Sequence, residues 1–288
     1  MEILRNFELR KRKELIKKIQ EERDSFVISY IHLADGAIQF NDFKYFTLIF
    51  KKITPKLERL DILLETFGGI GEAAAKLVYL AREYFKDITV IVLKHALSAG
   101  TLICLGADRI GMTPLSELSP IDPQIYLKDE KFWISANALE EYIKLVKEVY
   151  KTEISVAGIF PQIQAVNLFS IGQIRLALRN TEKFTRDFLT RYSMKGRSEE
   201  EINRTFESLL SGYGSHSCRI FRTEAEEHLK LNIEKIDNQG KTANLYQNIM
   251  ELKEIYDKID KEITLIYNIG QYVLIETEED TFLEEVLY

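Results

Sequence analysis

The 288-residue sequence is poor in cysteine, proline and histidine, and each shortage excludes a class of protein. It contains 2 cysteines, 5 prolines and 4 histidines. The cysteines, Cys104 and Cys218, are too few for a disulfide framework or a four-cysteine zinc site, so reduced thiols are expected. So few prolines argue against long disordered stretches. The histidines lack metal-ligand spacing, and the glycine-rich turn at 68–71 lacks the lysine of a phosphate-binding loop, so we expect no metal and no cofactor.

A large excess of charge of one sign is also missing. The formal net charge is −6, which leaves no basic footprint for nucleic acid, and no nucleic-acid partner is expected. The first turns do form a basic segment, which we interpret as a solvated helix face, with docking to a membrane surface or a partner as the alternative. Its basic residues are Arg5, Arg10, Lys11, Arg12, Lys13, Lys17 and Lys18.

Long apolar runs are scarce as well. The longest uncharged run, 154–174, contains Pro161, three glutamines and one asparagine, so a buried helix pair fits it better than a membrane span. The N-terminus is charged rather than apolar, so no secretory signal is expected. These features predict a soluble, cytoplasmic protein.

Alternating apolar strands and helical patterns predict an α/β fold. The order strand–helix–strand implies right-handed crossovers and an open parallel sheet covered on both faces. Strands are predicted at 27–33, 60–64, 88–93 and 109–112, and helices at 41–52, 72–85 and 98–107. The later patterns, at 135–151, 160–193 and 199–211, are mostly helical, and 265–276 predicts a closing strand or hairpin. We expect a charged N-terminal helix at 1–24, a catalytic domain at 25–238 and a C-terminal helix and strand extension at 239–288.

Two glycine-bearing turns follow two of these predicted strands. In open parallel sheets, ligands bind at the carboxyl ends of strands, so the turns at 65–69 and 95–101 are expected to meet. Ser98 would then lie at the first turn of a helix, where free N–H groups and the helix dipole favour a developing oxyanion. Gly68, Gly69 and Ala99 are the candidate donors. The structural alternative is that Ser98 is an ordinary N-cap and the glycine pair only a turn.

The segment 61–125 resembles the serine dehydrogenase proteinase family of the Clp-protease/crotonase superfamily, close to signal peptide peptidase A. The family motifs occur here in order: a Gly-Gly turn, a serine elbow, an Ala-Asp pair at a helix end and a closing Pro-x-Asp-Pro-Gln. They read Thr66-Phe67-Gly68-Gly69, Ala96-Leu97-Ser98-Ala99-Gly100-Thr101, Ala107-Asp108 and Ser119-Pro120-Ile121-Asp122-Pro123-Gln124-Ile125. The resemblance implies a Clp/crotonase-like fold with additional helices. It also implies a serine peptidase that forms an acyl-enzyme on Ser98.

Two departures from the family pattern concern the turn and the general base. Phe67 replaces the proline of the usual Thr-Pro-Gly-Gly turn, and no histidine lies near Asp122, in the region where Clp-type proteases carry theirs. We favour His216 as the base, because its loop resembles the Ser-His-Asp-Tyr stretch of the family. Asp122 or Glu224 would orient it, although Asp122 also fits a purely pocket-shaping role.

A serine–lysine dyad, as in signal peptide peptidase A, is the rival arrangement. Lys144 and Lys147 lie at the corresponding distance beyond the serine. A lysine base must be desolvated so that its pKa falls towards neutrality, yet both lysines belong to a charged helical stretch. The sequence therefore leaves the base open between these residues and His216.

The resemblance further implies a protein or peptide substrate and assembly into homo-oligomers, and it leaves open a regulatory partner such as an ATPase. A catalytically inactive scaffold or partner-binding protein on the same fold is the alternative, because the Clp-type histidine is missing. A crotonase-type enzyme acting on a thioester would share the oxyanion geometry without a serine nucleophile. The Ala-x-Ser-x-Gly elbow argues against it.

Overall fold

A mostly parallel sheet forms the centre of the molecule in the computed structural model, and the predicted α/β class is confirmed. The model describes residues 5–34, 36–53, 58–122, 124–127, 132–135, 168–213, 217–267 and 271–286, with single positions at 141, 144, 145, 148 and 215. The strands are β1 Phe26–Leu33, β2 Arg59–Thr66, β3 Asp87–Ala96, β4 Arg109–Met112, β5 Glu117–Leu118, β6 Gln124–Leu127, β7 Phe132–Ser135, β8 Ile220–Phe221, β9 Ile233–Lys235, β10 Gln271–Glu276 and β11 Thr281–Val286.

Within the described residues the sheet has nine strands; seven of them follow the order β11-β10-β1-β2-β3-β4-β9, and β5 and β8 lie off this path. Strands β1, β2, β3, β4 and β9 run parallel, as the continuous apolar runs predict. The short strand β5 pairs with the end of β3 and also with β8. Strands β6 and β7 form a separate antiparallel pair.

Helices cover both faces of the sheet. They are α1 Leu9–Arg23, α2 Asp42–Phe50, α3 Gly71–Tyr84, α4 Ala99–Leu105, α5 Leu168–Phe188, α6 Glu199–Glu207, α7 Arg222–Glu227 and α8 Ala243–Tyr267. One hydrophobic cluster joins α2, α3, α4 and α5 to one face, and a second joins α1 and α8 to the other. Alternate residues of each central strand therefore enter different cores; in β2, Leu64 lies in the first cluster and Leu63 in the second.

The predicted elements reappear with small shifts at their ends. The helix expected at 98–107 is α4, which begins one residue later and ends at Leu105. Of the strand or hairpin expected at 265–276, residues 271–276 form β10, which pairs with β11 in an antiparallel hairpin, whereas residues 265–267 still belong to α8. Most of the predicted helical stretch at 135–151 and residues 154–167 of the uncharged run lie outside the described residues. No helix in the described part of the chain is both long and apolar enough to cross a membrane.

A buried ion pair ties the N-terminal helix to the C-terminal hairpin. The side chains of Arg12 on α1 and Glu276 on β10 are both 0% exposed, and Arg12 Nη2 lies 2.7 Å from Glu276 Oε1. Tyr256 and Thr281 donate further hydrogen bonds to the same carboxylate, at 3.1 and 3.0 Å. The charge of Glu276 is thus fully solvated by protein groups, which is the condition under which a buried pair is tolerated.

Arg12→Ala is expected to lower the free energy of unfolding by about 3–5 kcal/mol, because it leaves the Glu276 carboxylate buried without its counter-charge. Urea denaturation followed by circular dichroism measures the loss. Lys86→Ala is the matched control, since it breaks an exposed pair with Glu58 and should barely change stability. Equal effects of the two substitutions would contradict the importance of the buried pair.

Candidate active site

Ser98 lies in a strained elbow between β3 and α4. Its φ and ψ are 50° and −112°, outside the regions that non-glycine residues ordinarily occupy, at a cost of order 1–3 kcal/mol. Ser98 holds the N-cap position of α4, but its side chain makes no capping hydrogen bond. The interpretation of Ser98 as an ordinary capping serine is therefore wrong, because the half-buried residue does not cap the helix with its side chain.

Hydrogen bonds from a neighbouring segment hold the elbow in this conformation. The backbone N–H of Ser98 donates to Ser119 Oγ at 2.7 Å, and Ser119 Oγ donates to the carbonyl of Pro120 at 2.9 Å. Thr101 accepts from the Ser119 N–H at 3.1 Å and donates to the Ala96 carbonyl at 2.7 Å. These bonds fix the backbone on both sides of Ser98 and occupy its own N–H group.

The glycine turn after β2 lies directly against this elbow. Gly68 has φ +114°, and a Cβ atom there would lie 3.0 Å from Ser98 Cβ and 2.9 Å from the Leu97 carbonyl oxygen. Gly69 has φ +142°, and a Cβ atom there would lie 2.4 Å from the backbone nitrogen of Ile38. Both positions require glycine, because a side chain would clash and because L-residues rarely adopt these φ values.

Some backbone N–H groups around Ser98 already donate hydrogen bonds within the protein, and others do not. The Gly68 N–H donates to Thr66 Oγ1 at 3.1 Å, so it is occupied rather than available as an oxyanion donor, contrary to expectation. The N–H groups of Gly69 and Ala99 have no hydrogen-bond acceptor within the described ranges. Of the three candidate donors, Gly69 and Ala99 therefore keep an N–H group that could serve a ligand oxygen.

The structure describes only some of the residues that we considered as the general base or as its orienting partner. Asp122 is buried, 4% exposed, and has an interaction partner. Lys144 is exposed and lies 2.6 Å from Glu141, which is not the desolvated setting that a lysine base requires. Lys147 and His216 lie outside the described residues.

One family model matches the N-terminal part of the chain. Residues 2–136 match the family described as ClpP-like SDH-type serine proteinase. The resemblance to the serine dehydrogenase proteinase family is thereby confirmed for this part of the chain. The matched segment contains the Gly68-Gly69 turn, the Ser98 elbow and Asp122, but none of the residues that we considered as a base.

Two relatives come from Methanocaldococcus jannaschii, and both are described as uncharacterized proteins. MJ1495 is 25% identical over 265 residues, covering 88% of this chain and 80% of the relative. MJ0137 is 32% identical over 123 residues, covering 40% of this chain and 43% of the relative.

Two solved structures show a distant likeness. Both are of the 1510-N membrane-bound stomatin-specific protease, one as a serine-to-alanine mutant and one as a lysine-to-alanine mutant in complex with a substrate peptide. The first is 15% identical, with a TM-score of 0.46, and covers 78% of this chain and 84% of that one. The second is 14% identical, with a TM-score of 0.41, and covers 78% and 98% respectively.

Gly100 brings α4 unusually close to β2 beside the elbow. A Cβ atom on Gly100 would lie 2.5 Å from Thr66 Cγ2, well inside van der Waals contact. The Thr66 hydroxyl is needed in this place because it accepts the Gly68 N–H. The methyl group of Thr66 therefore sets how large residue 100 can be.

Gly100→Ala is expected to destabilise the protein by about 1–3 kcal/mol, because it overpacks this contact. Adding Thr66→Ser removes the clashing methyl group and keeps the hydroxyl, so the double variant should recover most of the loss. Urea denaturation of the four proteins in a double-mutant cycle measures the coupling. Additive effects of the two substitutions would contradict a direct clash.

A second polar cluster, on the α8 face of the sheet, was missed by the sequence analysis. Glu65 and His95 end their strands there, both 8% exposed, with His95 Nε2 at 4.0 Å from Glu65 Oε1. Lys253 of α8 lies 3.4 Å from Glu65 Oε1 and also pairs with Asp257. The available signal was a charged residue, Glu65, directly after the apolar run 62–64 of a buried strand.

Burial dominates the protonation of this cluster. Desolvation raises the pKa of Glu65 to about 7, although the Lys253 ammonium opposes the rise. Desolvation also lowers the pKa of His95 to about 4, and nearby positive charges act in the same direction. Near neutral pH the His95 imidazole is therefore uncharged, and Glu65 is present in both its protonated and its ionised form.

Glu65→Gln should become more stable relative to the wild type as pH rises from about 4.5 to about 7. Across this range the folded wild type keeps the Glu65 proton that the unfolded chain has lost, so its stability falls with pH, while glutamine does not titrate. The free energy of unfolding of Glu65→Gln, relative to the wild type, is expected to rise by about 3 kcal/mol over this range. Urea denaturation at several pH values measures the change. A stability difference that stays constant with pH would contradict the raised pKa.

Proposed function

We propose that the chain is a serine peptidase that hydrolyses peptide bonds through an acyl-enzyme on Ser98. The observation that carries this proposal is the strained, uncapped Ser98 beside two unused N–H donors, Gly69 and Ala99. The match of residues 2–136 to a serine proteinase family supports it independently. Strain at a single non-glycine residue is typical of functional sites, where the surrounding structure enforces it.

In the proposed reaction, Ser98 Oγ attacks the carbonyl carbon of the peptide and passes its proton to a general base. The carbonyl oxygen becomes the oxyanion and accepts hydrogen bonds from Gly69 and Ala99. Losing one such donor typically costs about 3–4 kcal/mol of transition-state stabilisation. The base then protonates the leaving amine, and water hydrolyses the acyl-enzyme by the same steps in reverse order.

We propose His216 as that base. It lies four positions before Ile220 in sequence, and Ile220 pairs with Leu118, the residue that precedes Ser119. Ser119 in turn holds the Ser98 backbone, so the described strand β8, which follows His216 in the sequence, pairs next to the segment that supports the elbow. Glu224, which accepts a hydrogen bond from Tyr213 at 2.7 Å, or the buried Asp122 would orient the imidazole. Lys147 remains the rival base.

The family resemblance also underlies our proposal that the chain forms homo-oligomers and acts on a protein or peptide in the cytoplasm. A regulatory partner remains part of the same hypothesis. These points concern assembly and biology and do not alter the chemistry assigned to Ser98.

A fluorophosphonate probe is expected to label the wild type and to leave Ser98→Ala unlabelled, because the probe reacts with an activated serine hydroxyl. Ser211→Ala is the matched control, since Ser211 is an exposed serine that bonds only its own helix. Mass spectrometry of the labelled protein locates the adduct. Folded, oligomer-competent wild type that takes up no label would instead favour a catalytically inactive, partner-binding protein.

His216→Ala should slow labelling by about 10²–10⁴-fold, the usual contribution of a general base. Lys144→Ala and Lys147→Ala are compared under the same conditions, with circular dichroism to check that each variant is folded. If only Lys147→Ala abolishes labelling, the base is the lysine and the His216 assignment fails.

A further inference from the structure

A cavity opens beside the candidate active site, at the carboxyl ends of β1, β2 and β3. It has a volume of about 180 Å³ and lies between these strand ends and α8. The polar and aromatic residues that matter for its chemistry are Glu65, Phe67, Lys94, His95, Asp257 and Asp260. None of them takes part in the reaction proposed for Ser98.

Polar atoms of two buried side chains in the cavity wall lack hydrogen-bond partners. Glu65 is 8% exposed, and its Oε2 atom has no partner. His32 is 5% exposed, and neither ring nitrogen has one. Buried polar groups are almost always satisfied in folded proteins, and leaving one unsatisfied costs free energy. The unpartnered Oε2 atom of Glu65 could therefore form a hydrogen bond with a ligand that enters the cavity.

The charge of the lining favours a cation. Three carboxylates, those of Glu65, Asp257 and Asp260, face one lining ammonium, that of Lys94. Lys253 lies behind Glu65 and is already paired with Asp257. One more carboxylate than ammonium remains when Glu65 is ionised, a form that its pKa of about 7 allows at and above neutral pH and that a bound cation would favour. His95 is uncharged near neutral pH because its pKa lies at about 4.

An organic cation fits the cavity better than a metal ion. No group of three or more His, Cys, Asp or Glu side chains within the described ranges has the arrangement of a metal site. The ring of Phe67 is 47% exposed and lies against the His95 ring, with centroids 4.2 Å apart. An exposed aromatic face beside carboxylates is suited to an ammonium or guanidinium group on an aliphatic stem.

The cavity is also within reach of a substrate at Ser98. Phe67 immediately precedes Gly68, and a Cβ atom on Gly68 would lie 3.0 Å from Ser98 Cβ. His95 stands three residues before Ser98 on the same strand end. The Phe67–His95 pair therefore lines the cavity and belongs to the two chain segments that lead directly into the glycine turn and the elbow.

We propose that this cavity is a subsite that binds the basic side chain of a peptide held at Ser98. The proposal rests on the peptidase function proposed above, and it adds the substrate class: peptides with a lysine or arginine close to the scissile bond. Glu65 accepts the hydrogen bond of the cationic group, Asp257 and Asp260 supply further negative charge, and Phe67 packs against the aliphatic stem.

Binding to the Ser98→Ala protein tests the subsite without requiring turnover. Acetyl-Ala-Lys-Ala-amide should bind at least tenfold more tightly than acetyl-Ala-norleucine-Ala-amide in NMR titrations, because the two differ only in the ammonium group. Glu65→Gln, introduced in the same background, should reduce this preference to less than twofold. Asp257→Asn should weaken it too; this side chain is 51% exposed, so its substitution is expected to preserve the fold.

Glu83→Gln is the matched control, because Glu83 is an exposed carboxylate on α3, away from the cavity, and it should leave the preference intact. Equal affinity for the lysine and norleucine peptides would overturn the subsite. So would a preference that survives both Glu65→Gln and Asp257→Asn. Butylamine that binds as tightly as the lysine peptide would overturn the assignment to a peptide side chain.

Fluorophosphonate labelling of the wild type separates this proposal from the peptidase function. Labelling without a lysine preference would refute the subsite and leave the hydrolase standing. A lysine preference without labelling would support the subsite as a peptide-binding feature and refute the catalytic function.

Discussion

The contact between Gly68 and Ser98 is the constraint on which the site depends. Two turns from neighbouring parallel strands meet there so closely that residue 68 has no room for a side chain. This approach brings the unused N–H groups of Gly69 and Ala99 to the same small region as the serine hydroxyl. Such preorganised donors stabilise developing charge without any rearrangement during reaction, which is the largest single source of catalysis in many hydrolases.

The rest of the fold holds the two turns in register. Strands β2 and β3 are paired along their length, and the pairing shifts near Thr66, where the turns begin. Ser119 and Thr101 then lock the elbow from the β5 side. On the opposite face, α1 and α8 cover the sheet, and the buried Arg12–Glu276 pair joins them to the C-terminal hairpin. The positive φ of Ser98 persists because each neighbouring element opposes its relaxation.

The same strand ends carry different chemistry on the two faces of the sheet. Period-2 alternation sends Glu65 and His95 to the α8 face, and the elbow and the glycine turn follow directly after them. The rings of Phe67 and His95, which pack together beside the charged cluster, belong to the segments that lead into the glycine turn and the elbow. Phe67 stands where the family pattern has proline, so this departure supplies an aromatic surface next to the glycine turn.

Much of the fold could be predicted from local sequence patterns. Continuous apolar runs gave the parallel strands, because a strand covered on both faces must be apolar throughout. Helical spacing gave α2, α3 and α8, and the order of the motifs pointed to Ser98 and the glycine turn. These features are local, and the residues that specify them are close together in the chain.

Tertiary structure alone decided which distant groups meet. Arg12 pairs with Glu276 at a separation of 264 residues, and Lys253 reaches Glu65 from α8; no spacing rule links such positions. The pairing of β10 with β1 and the acceptor role of Ser119 are equally non-local. The sequence by itself determined that Ser98 stands in a turn between a strand and a helix. Only the packed sheet decided that it is strained, uncapped and set against Gly68, because those properties arise from contacts between separate strands.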